Sequence, residues 1–287
     1  MPPLRSDRAV GRVLDAERSF IVALGGYAVE IAGARLLVHE RIPVPRLNFV
    51  EVGRVARARQ AAFFERALDH YFQRALRPTF RVPEPVEEHL DRALRSFGFV
   101  PSPERLSLLE GPVVRTDAPS RPVGPDLVVR THSPDGFPDG LPFWTAPSER
   151  EELSRALEVL LFHPNDDEEL RLELAESDGR SCGAALRYTD GSTAGLWWVA
   201  ASPGASRGTT IEALHRAALQ PPLPGGLERL EAVADDPESL EPALSAGFDV
   251  VGTRAVYELP PTAELHLPAV GPAGPPRWRP PRRPGPS

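Results

Sequence analysis

The sequence predicts an α+β protein made of two similar runs of strands and helices. Apolar residues alternate, or recur every three to four positions, along most of the chain. Gly and Asp mark turns between these segments, and the same order of segments occurs twice, which favours an internal duplication. Because 287 residues can bury two separate cores, we expect two domains of similar architecture.

The first run begins with a predicted hairpin. Apolar strand-forming residues lie at 27–31 and 35–39, on either side of a short loop that contains Gly33. The remaining pattern predicts, in order, a strand at 48–52, a helix within 56–76, a strand at 79–82, a helix at 85–96 closed by Gly98, and strand again from Phe99 to Leu109.

The second run repeats this order and is better delimited by turn residues. A capping signal at Ser148 predicts a helix, and three antiparallel strands follow at 170–175, 182–188 and 193–201, joined by turns at Asp178-Gly179 and Asp190-Gly191. The pattern then predicts a helix at 207–219, a strand at 227–232, a helix at 237–245 ended by Gly247, and a last strand at 248–259.

Proline-rich stretches predict the domain boundaries. The chain has 34 prolines, concentrated at the start, between 112 and 147, and after 260. We expect an N-terminal domain at 1–111, a linker at 112–124, a C-terminal domain at 125–260 and a disordered tail at 261–287. This basic, proline-rich tail could bind an SH3-like groove or an acidic surface, although a solvated extension is favoured.

Composition argues against several classes of function. The net charge of −7 provides no basic field for nucleic acid or an anionic membrane. No apolar run reaches the roughly 18 residues of a membrane span, and the N-terminus does not resemble a secretory signal. The single cysteine excludes an internal disulfide. His163 and His215 are not spaced as metal ligands and are expected at the surface or at a helix end. We therefore expect a soluble cytoplasmic protein without a metal.

One strand-to-helix junction has the composition of a phosphate-binding site. Between Trp197 and Ile211 the chain runs from an apolar strand into a helix through small residues, with Arg207 and Gly208 at the helix start. Exposed N–H groups, the helix dipole and an adjacent arginine together favour a pyrophosphate. An ordinary loop with a helix cap would have much the same composition, so this pattern alone leaves both interpretations open.

The order of elements, this junction and the later Gly247-Phe248 resemble the GNAT acetyltransferase superfamily, and the first run is similar to the degenerate first copy of tandem GNAT proteins. The resemblance implies two GNAT-like mixed sheets flanked by helices. It also implies acetyl-CoA as co-substrate and a primary amine, on a small molecule or a peptide, as acceptor. The residues it assigns to acetyl-CoA are Val199, Ala200, Ala201, Arg207, Gly208, Thr209, Thr210 and Ile211. Residues 53–59 of the first run lack the small residues of such a junction, so that copy is expected not to bind it.

The sequence departs from the family pattern at three positions. Thr210 and Glu212 replace small residues, and Ala243 stands where many members have a general-acid tyrosine. No catalytic residue is therefore assigned. Glu173 and Glu176 lie where a base could reach an amine, but a solvated strand face is the favoured interpretation for both. The departures leave a rival open, a catalytically inactive GNAT-like module that binds a ligand or a partner.

Three further side chains are each given an expected position in the fold. Cys182, within a strand pattern, is expected to be a small core residue rather than a nucleophile. Trp197 and Trp198 are adjacent in a strand, so one ring is expected on each face, one in the core and one beside the acceptor.

Overall fold

The computed structural model describes residues 7–53, 60–113, 127–132, 169–204, 206–220, 226–235 and 237–260. These residues form two compact units. Among the described residues, the small unit consists of those within 26–105 and 254–260, and the large unit of those within 7–25 and 106–253.

The small unit is a mixed sheet with two helices. Its elements are β1 (Tyr27–Ile31), β2 (Ala34–Val38), β3 (Phe49–Glu51), α2 (Gln60–Phe72), β4 (Thr79–Pro83), α3 (Glu88–Ser96) and the first part of β5 (Val100–Pro112). The strand order β1-β2-β3-β4 continues to the last part of β11 (Asp249–Glu258), and β5 follows β11. Strands β3 and β4 are parallel, whereas the pairs β1–β2, β2–β3 and β4–β11 are antiparallel. The amphipathic α2 buries Phe64, Leu68 and Tyr71 on this sheet.

The large unit has the same arrangement with additional elements. It contains α1 (Asp7–Ala23), β6 (Leu127–His132), β7 (Glu169–Ser177), β8 (Arg180–Thr189), β9 (Ala194–Ala201), α4 (Arg207–Ala218), β10 (Arg229–Ala234) and α5 (Pro237–Ala246). Its strand order is β5-β10-β9-β8-β7-β6, in which only β9 and β10 are parallel. One core cluster joins α4 and α5 to the sheet, and a smaller one joins α1 to Leu108 and Val251.

Within the described residues, the predicted order of elements is confirmed in both runs, and so is the mixed α+β fold. Gly98 and Gly247 end α3 and α5 with φ angles of 90° and 110°, a conformation that favours glycine. Two elements were not predicted. Helix α1 was missed although Ala9, Val13, Ala16 and Phe20 follow a helical spacing, and β6 was missed because it lies within a proline-rich stretch.

The two units do not follow the order of the chain, because β5 and β11 are each divided between them. Residues 107–112 of β5 pair with β10, and residues 254–257 of β11 pair with β4. The predicted domains at 1–111 and 125–260 instead follow the order of the chain. The predicted helix from Ser148, the linker after residue 113, the tail at 261–287 and the junction at 54–59 lie outside the described residues.

The helices of the described ranges are all too short or too polar to cross a membrane.

Candidate functional site

Strand β9 separates from β10 halfway along its length. The two parallel strands pair only at Gly195 with Glu231 and at Leu196 with Ala232. Trp197, Ala200 and Ala201 continue to pair with β8 on the other side. Because no ladder pair joins this segment to β10, the edge formed by Val199, Ala200 and Ala201 is available to pair with the amide groups of a ligand.

A β-bulge lies at the point of separation. Ala184 pairs with Ala200 but Leu186 pairs with Trp197, so β9 has one extra residue, and Trp198 has a φ of 53°. Both indole rings contact Phe20 of α1, with centroid distances of 5.6 Å for Trp197 and 5.2 Å for Trp198. The expectation of one ring on each face was wrong, because the bulge rotates Trp198 out of the regular alternation.

Helix α4 is the next element after β9, and its first turn is open to solvent. Gly208 and Thr209 are exposed. The N–H of Arg207 donates to the Gly204 carbonyl at 3.1 Å, and the N–H of Thr210 donates to the Ser206 carbonyl at 2.9 Å. The turn has no acidic residue, so the positive end of the helix dipole is uncompensated from within the helix. The Arg207 guanidinium forms an ion pair with Glu238 at the start of α5.

Thr210 and Ile211 are buried behind this turn. Thr210 is 1% exposed and Ile211 is fully buried. The Thr210 methyl lies 2.5 Å from the position that a Cβ on Gly183 would occupy, so the larger residue on α4 fits because β8 has a glycine opposite it. The side chains of Thr210 and Ile211 therefore pack beneath the turn, whereas Gly208 and Thr209 form the exposed surface at the helix start.

The substitution Gly183→Ala should destabilise the large unit by about 1–3 kcal/mol, the usual cost of overpacking. The new Cβ would lie 2.5 Å from the Thr210 methyl and 2.9 Å from the Ala200 carbonyl oxygen. Urea unfolding followed by tryptophan fluorescence measures the change. Adding Thr210→Ser removes that methyl and should restore part of the loss, and no recovery in the double variant would contradict this packing.

The other two departures from the family pattern are also resolved in the structure. The Glu212 carboxylate forms an ion pair with Arg216, one turn further along α4, and so points away from the helix start. Ala243 is fully buried in the core beneath α5 and supplies no hydroxyl. The Glu212 carboxylate therefore does not block the first turn of α4, and the position of the expected acid is apolar.

Glu173 lies in the sheet core, so its predicted solvated position was wrong. It is fully buried, because β7 has neighbouring strands on both edges and its inner face is part of the core. The Thr131 hydroxyl donates to Glu173 Oε2 at 2.6 Å, and Arg187 Nε lies 3.4 Å from Oε1. Burial raises the pKa of Glu173 and Arg187 lowers it. Glu176 instead pairs with Arg130 at 2.9 Å.

His215 lies in the last turn of α4, as the helix-end alternative predicted, but it is buried rather than at the surface. Its Nδ1 lies 2.9 Å from the Ile211 carbonyl oxygen, and burial lowers its pKa to about 4. Cys182 is partly buried, and its Sγ lies 3.4 Å from the Ala175 carbonyl oxygen, as expected for a structural residue. No metal-binding cluster occurs among the described residues, and His163 is outside them.

A second group of buried charges was not predicted. Glu110 of β5 and Glu231 of β10 are directly opposite each other, and both are 3% exposed. Arg12 of α1 donates from Nε to Glu110 Oε1 at 2.8 Å, and Arg229 donates to Glu110 Oε2 at 2.6 Å. No local motif could indicate this group, since its members come from three distant parts of the chain.

Solved structures of acetyltransferases share this fold. A GCN5-related N-acetyltransferase from Kribbella flavida matches with a TM-score of 0.59 and 16% identity, over 89% of this chain and 96% of that one. One from Sphaerobacter thermophilus matches with 0.52 and 15%, over 88% and 92%. A tandem GNAT protein from the clavulanic acid biosynthesis pathway matches with 0.50 and 13%, over 90% and 97%.

No protein-family model and no curated protein matches the sequence. The structural matches nevertheless extend over nearly the whole length of both chains. The chain therefore has the GNAT fold, as the order of its elements predicted.

Proposed function

We propose that the large unit is an acyltransferase that moves an acetyl group from acetyl-CoA to a primary amine. The observation that carries this proposal is the unpaired edge of β9 leading directly into the open first turn of α4. A strand edge and a helix start in this arrangement suit a ligand with an amide-containing arm and a pyrophosphate.

Each part of the site would hold a different part of acetyl-CoA. The N–H groups of Gly208 and Thr209, with the helix dipole, would bind the pyrophosphate, and Arg207 would add positive charge. The backbone of Val199, Ala200 and Ala201 would pair with the pantetheine amides. Thr210 and Ile211 would support the turn through their burial.

The reaction would be direct attack of the amine on the thioester carbonyl. A C–N bond forms and the C–S bond breaks, and the thiolate leaves and takes a proton from water, since Ala243 has none to give. The separated β9 would aim a backbone N–H near Ala201 at the carbonyl oxygen, where negative charge develops. Positioning and these dipoles would supply most of the rate.

We propose a small-molecule or peptide amine as the acceptor and the cytoplasm as the site of action. A net charge of −7 argues against nucleic acid or an anionic membrane as a partner. We also propose that the N-terminal copy is degenerate and leaves acetyl-CoA binding to the C-terminal copy.

A catalytically inactive ligand-binding module is the second candidate. The fully buried Ala243, with no hydroxyl at the expected acid position, favours it. It predicts that acetyl-CoA binds without any release of thiol when amines are added, whereas the transferase releases thiol with at least one amine of a panel.

The substitution Gly208→Asp should affect folding and ligand binding in opposite directions. The nearest heavy atom to a new Cβ is Pro242 Cγ at 3.8 Å, so the side chain fits. An aspartate in the first turn should stabilise the free protein by about 0.5–1 kcal/mol through the helix dipole. The same carboxylate should repel a pyrophosphate, and acetyl-CoA affinity should fall at least tenfold.

Thermal unfolding with and without acetyl-CoA measures both effects. At 100 times its dissociation constant, acetyl-CoA should add about 2.7 kcal/mol to wild-type stability. Gly11→Asp on α1 is the matched control, because it adds the same charge on a different helix and no heavy atom lies within 4 Å of its new Cβ. Unchanged affinity in Gly208→Asp would show that the diphosphate site is elsewhere.

A further inference from the structure

Glu231 is a buried carboxylate whose negative charge is only partly balanced by nearby cations. Its neighbour Glu110 receives hydrogen bonds from both Arg12 and Arg229, whereas the nearest cation to Glu231 is Arg12 Nε at 3.9 Å from Oε1. Glu231 Oε2 has no hydrogen-bond partner among the described residues. A buried oxygen without a donor is costly, so a water or a ligand group is expected beside it.

A buried donor without an acceptor lies on the same face of the sheet. Trp197 is 5% exposed, and its Nε1–H has no partner within the described ranges. Its ring covers Gly195, because a Cβ there would lie 2.2 Å from Cζ2 and 2.5 Å from Nε1. Gly195 is the residue of β9 that pairs with Glu231. The unsatisfied donor and the unsatisfied acceptor therefore flank one glycine.

Trp197 also marks the start of the open edge. It is the first residue of β9 beyond the last pair with β10, which is Leu196 with Ala232. The indole is consequently placed between Glu231 and the segment where β9 separates. A water held by the indole N–H and by Glu231 would connect the buried carboxylate to this opening.

We propose that Glu231 is the general base of the transferase and that it receives the proton of the acceptor amine through a water held by Trp197 Nε1–H. This proposal rests on the proposed function. The acceptor ammonium loses a proton, which passes through the water to the Glu231 carboxylate. The free amine then forms the C–N bond as the C–S bond breaks. The amine releases its second proton to water, water protonates the departing thiolate, and Glu231 returns its proton to solvent.

The charges around Glu231 suit a base that works near neutral pH. Burial, followed by repulsion from Glu110, raises the pKa of Glu231 to about 7, while Arg12 and hydrogen bonds from the backbone of Glu231 and Ala194 lower it. The charged groups facing it are Arg12 from α1 and Glu110 from β5, with Arg229 on its own strand. Both arginines hydrogen-bond to Glu110, whereas Glu231 has only the longer ion pair with Arg12.

The test compares wild type, Glu231→Gln and the matched control Glu176→Gln in the full chain. Acetyl-CoA binding is measured first by calorimetry and should be equal in all three. Thiol release from acetyl-CoA is then followed from pH 5.5 to 9.5 with spermidine, tyramine, lysine and glycinamide. We expect Glu231→Gln to lower kcat/KM on the order of 100-fold or more and to abolish a rising limb near pH 7.

Trp197→Phe tests the water separately, because it keeps an aromatic ring and removes the N–H. It should lower kcat several-fold and leave the KM for acetyl-CoA unchanged. Carboxyl infrared bands provide a readout without turnover: a group titrating near pH 7 should be present in wild type and absent in Glu231→Gln.

The outcomes separate the two proposals. If Glu231→Gln keeps the wild-type rate and the rising limb of the pH–rate profile, Glu231 is not the general base, and the transferase proposal is unaffected. Absence of acetyl-CoA binding, or binding without thiol release from any amine, overturns the transferase and the base together.

Discussion

Replacing Arg187 by leucine is expected to destabilise the large unit by about 3–5 kcal/mol, the usual effect of removing one partner from a buried ion pair. Arg187 is 5% exposed and Glu173 is fully buried, so the carboxylate would lose its cation without gaining water. The Thr131 hydroxyl would be the remaining donor to Glu173. Urea unfolding followed by fluorescence of Trp197 and Trp198 measures the loss.

The pH dependence of this variant shows whether the uncompensated charge of Glu173 causes the loss of stability. Burial already raises the pKa of Glu173, and removing Arg187 raises it further. Glu173 would then bind a proton in the folded state at a higher pH than when unfolded, so the variant should regain stability as the pH falls from 7.5 to 5.5. Adding Glu173→Gln should recover much of the loss at pH 7.5.

Arg130→Leu is the matched control on β6, at the opposite edge of β7 from the strand of Arg187. Its ion pair with Glu176 has an arginine side chain that is 64% exposed. Exposed pairs contribute about 0–1 kcal/mol. An Arg187→Leu variant no less stable than this control would show that the buried pair contributes little.

Local patterns were sufficient to predict most elements of the fold. The loop at Gly33 and the turns at Asp178-Gly179 and Asp190-Gly191 predicted hairpins that the structure contains. Turn chemistry acts over a few residues, so the sequence near each turn specifies it. Helix α1 carried a readable spacing, but its many charged residues and Gly11 obscured the apolar face.

Long-range features were not predictable in this way. The exchange of β5 and β11 between the units depends on which strands pair across more than 100 residues of sequence. The burial of Glu173 follows from having strands on both sides of β7, while its own alternating pattern resembles a half-exposed strand. The bulge at Trp198 replaces regular alternation, and no glycine marked it.

The candidate site was predicted in part. The sequence indicated a strand entering a helix through small residues, and the structure has Gly208 and Thr209 exposed at that helix start. The separation of β9 from β10 is a property of two strands together, so the sequence could only suggest it through resemblance. Glu231 was missed because its environment is made by α1 and β5.

Two buried groups should give the large unit opposite dependences of stability on pH. Burial lowers the pKa of His215 to about 4, from an ordinary value of 6.5. Between these values the unfolded state binds a proton that the folded state does not. The contribution of His215 to the free energy of unfolding therefore falls as the pH drops from 6.5 to 4. The loss at pH 4 should be on the order of 3 kcal/mol.

Glu231 acts in the other direction over an overlapping range. Its folded pKa is raised to about 7 from 4.5, so the folded state binds more protons between these values. Its contribution to stability therefore falls as the pH rises from 4.5 to 7. In wild type the two slopes oppose each other between pH 4.5 and 6.5, and the net dependence should be shallow there.

Single substitutions should separate the two slopes. Glu231→Gln leaves the His215 slope, so this variant should lose stability steeply from pH 6.5 to 4.5. His215→Leu leaves the Glu231 slope, so this variant should lose stability as the pH rises across the same range. Urea unfolding at pH 4.5, 5.5, 6.5 and 7.5 measures both. Parallel curves for wild type and both variants would mean that neither group changes its pKa on folding.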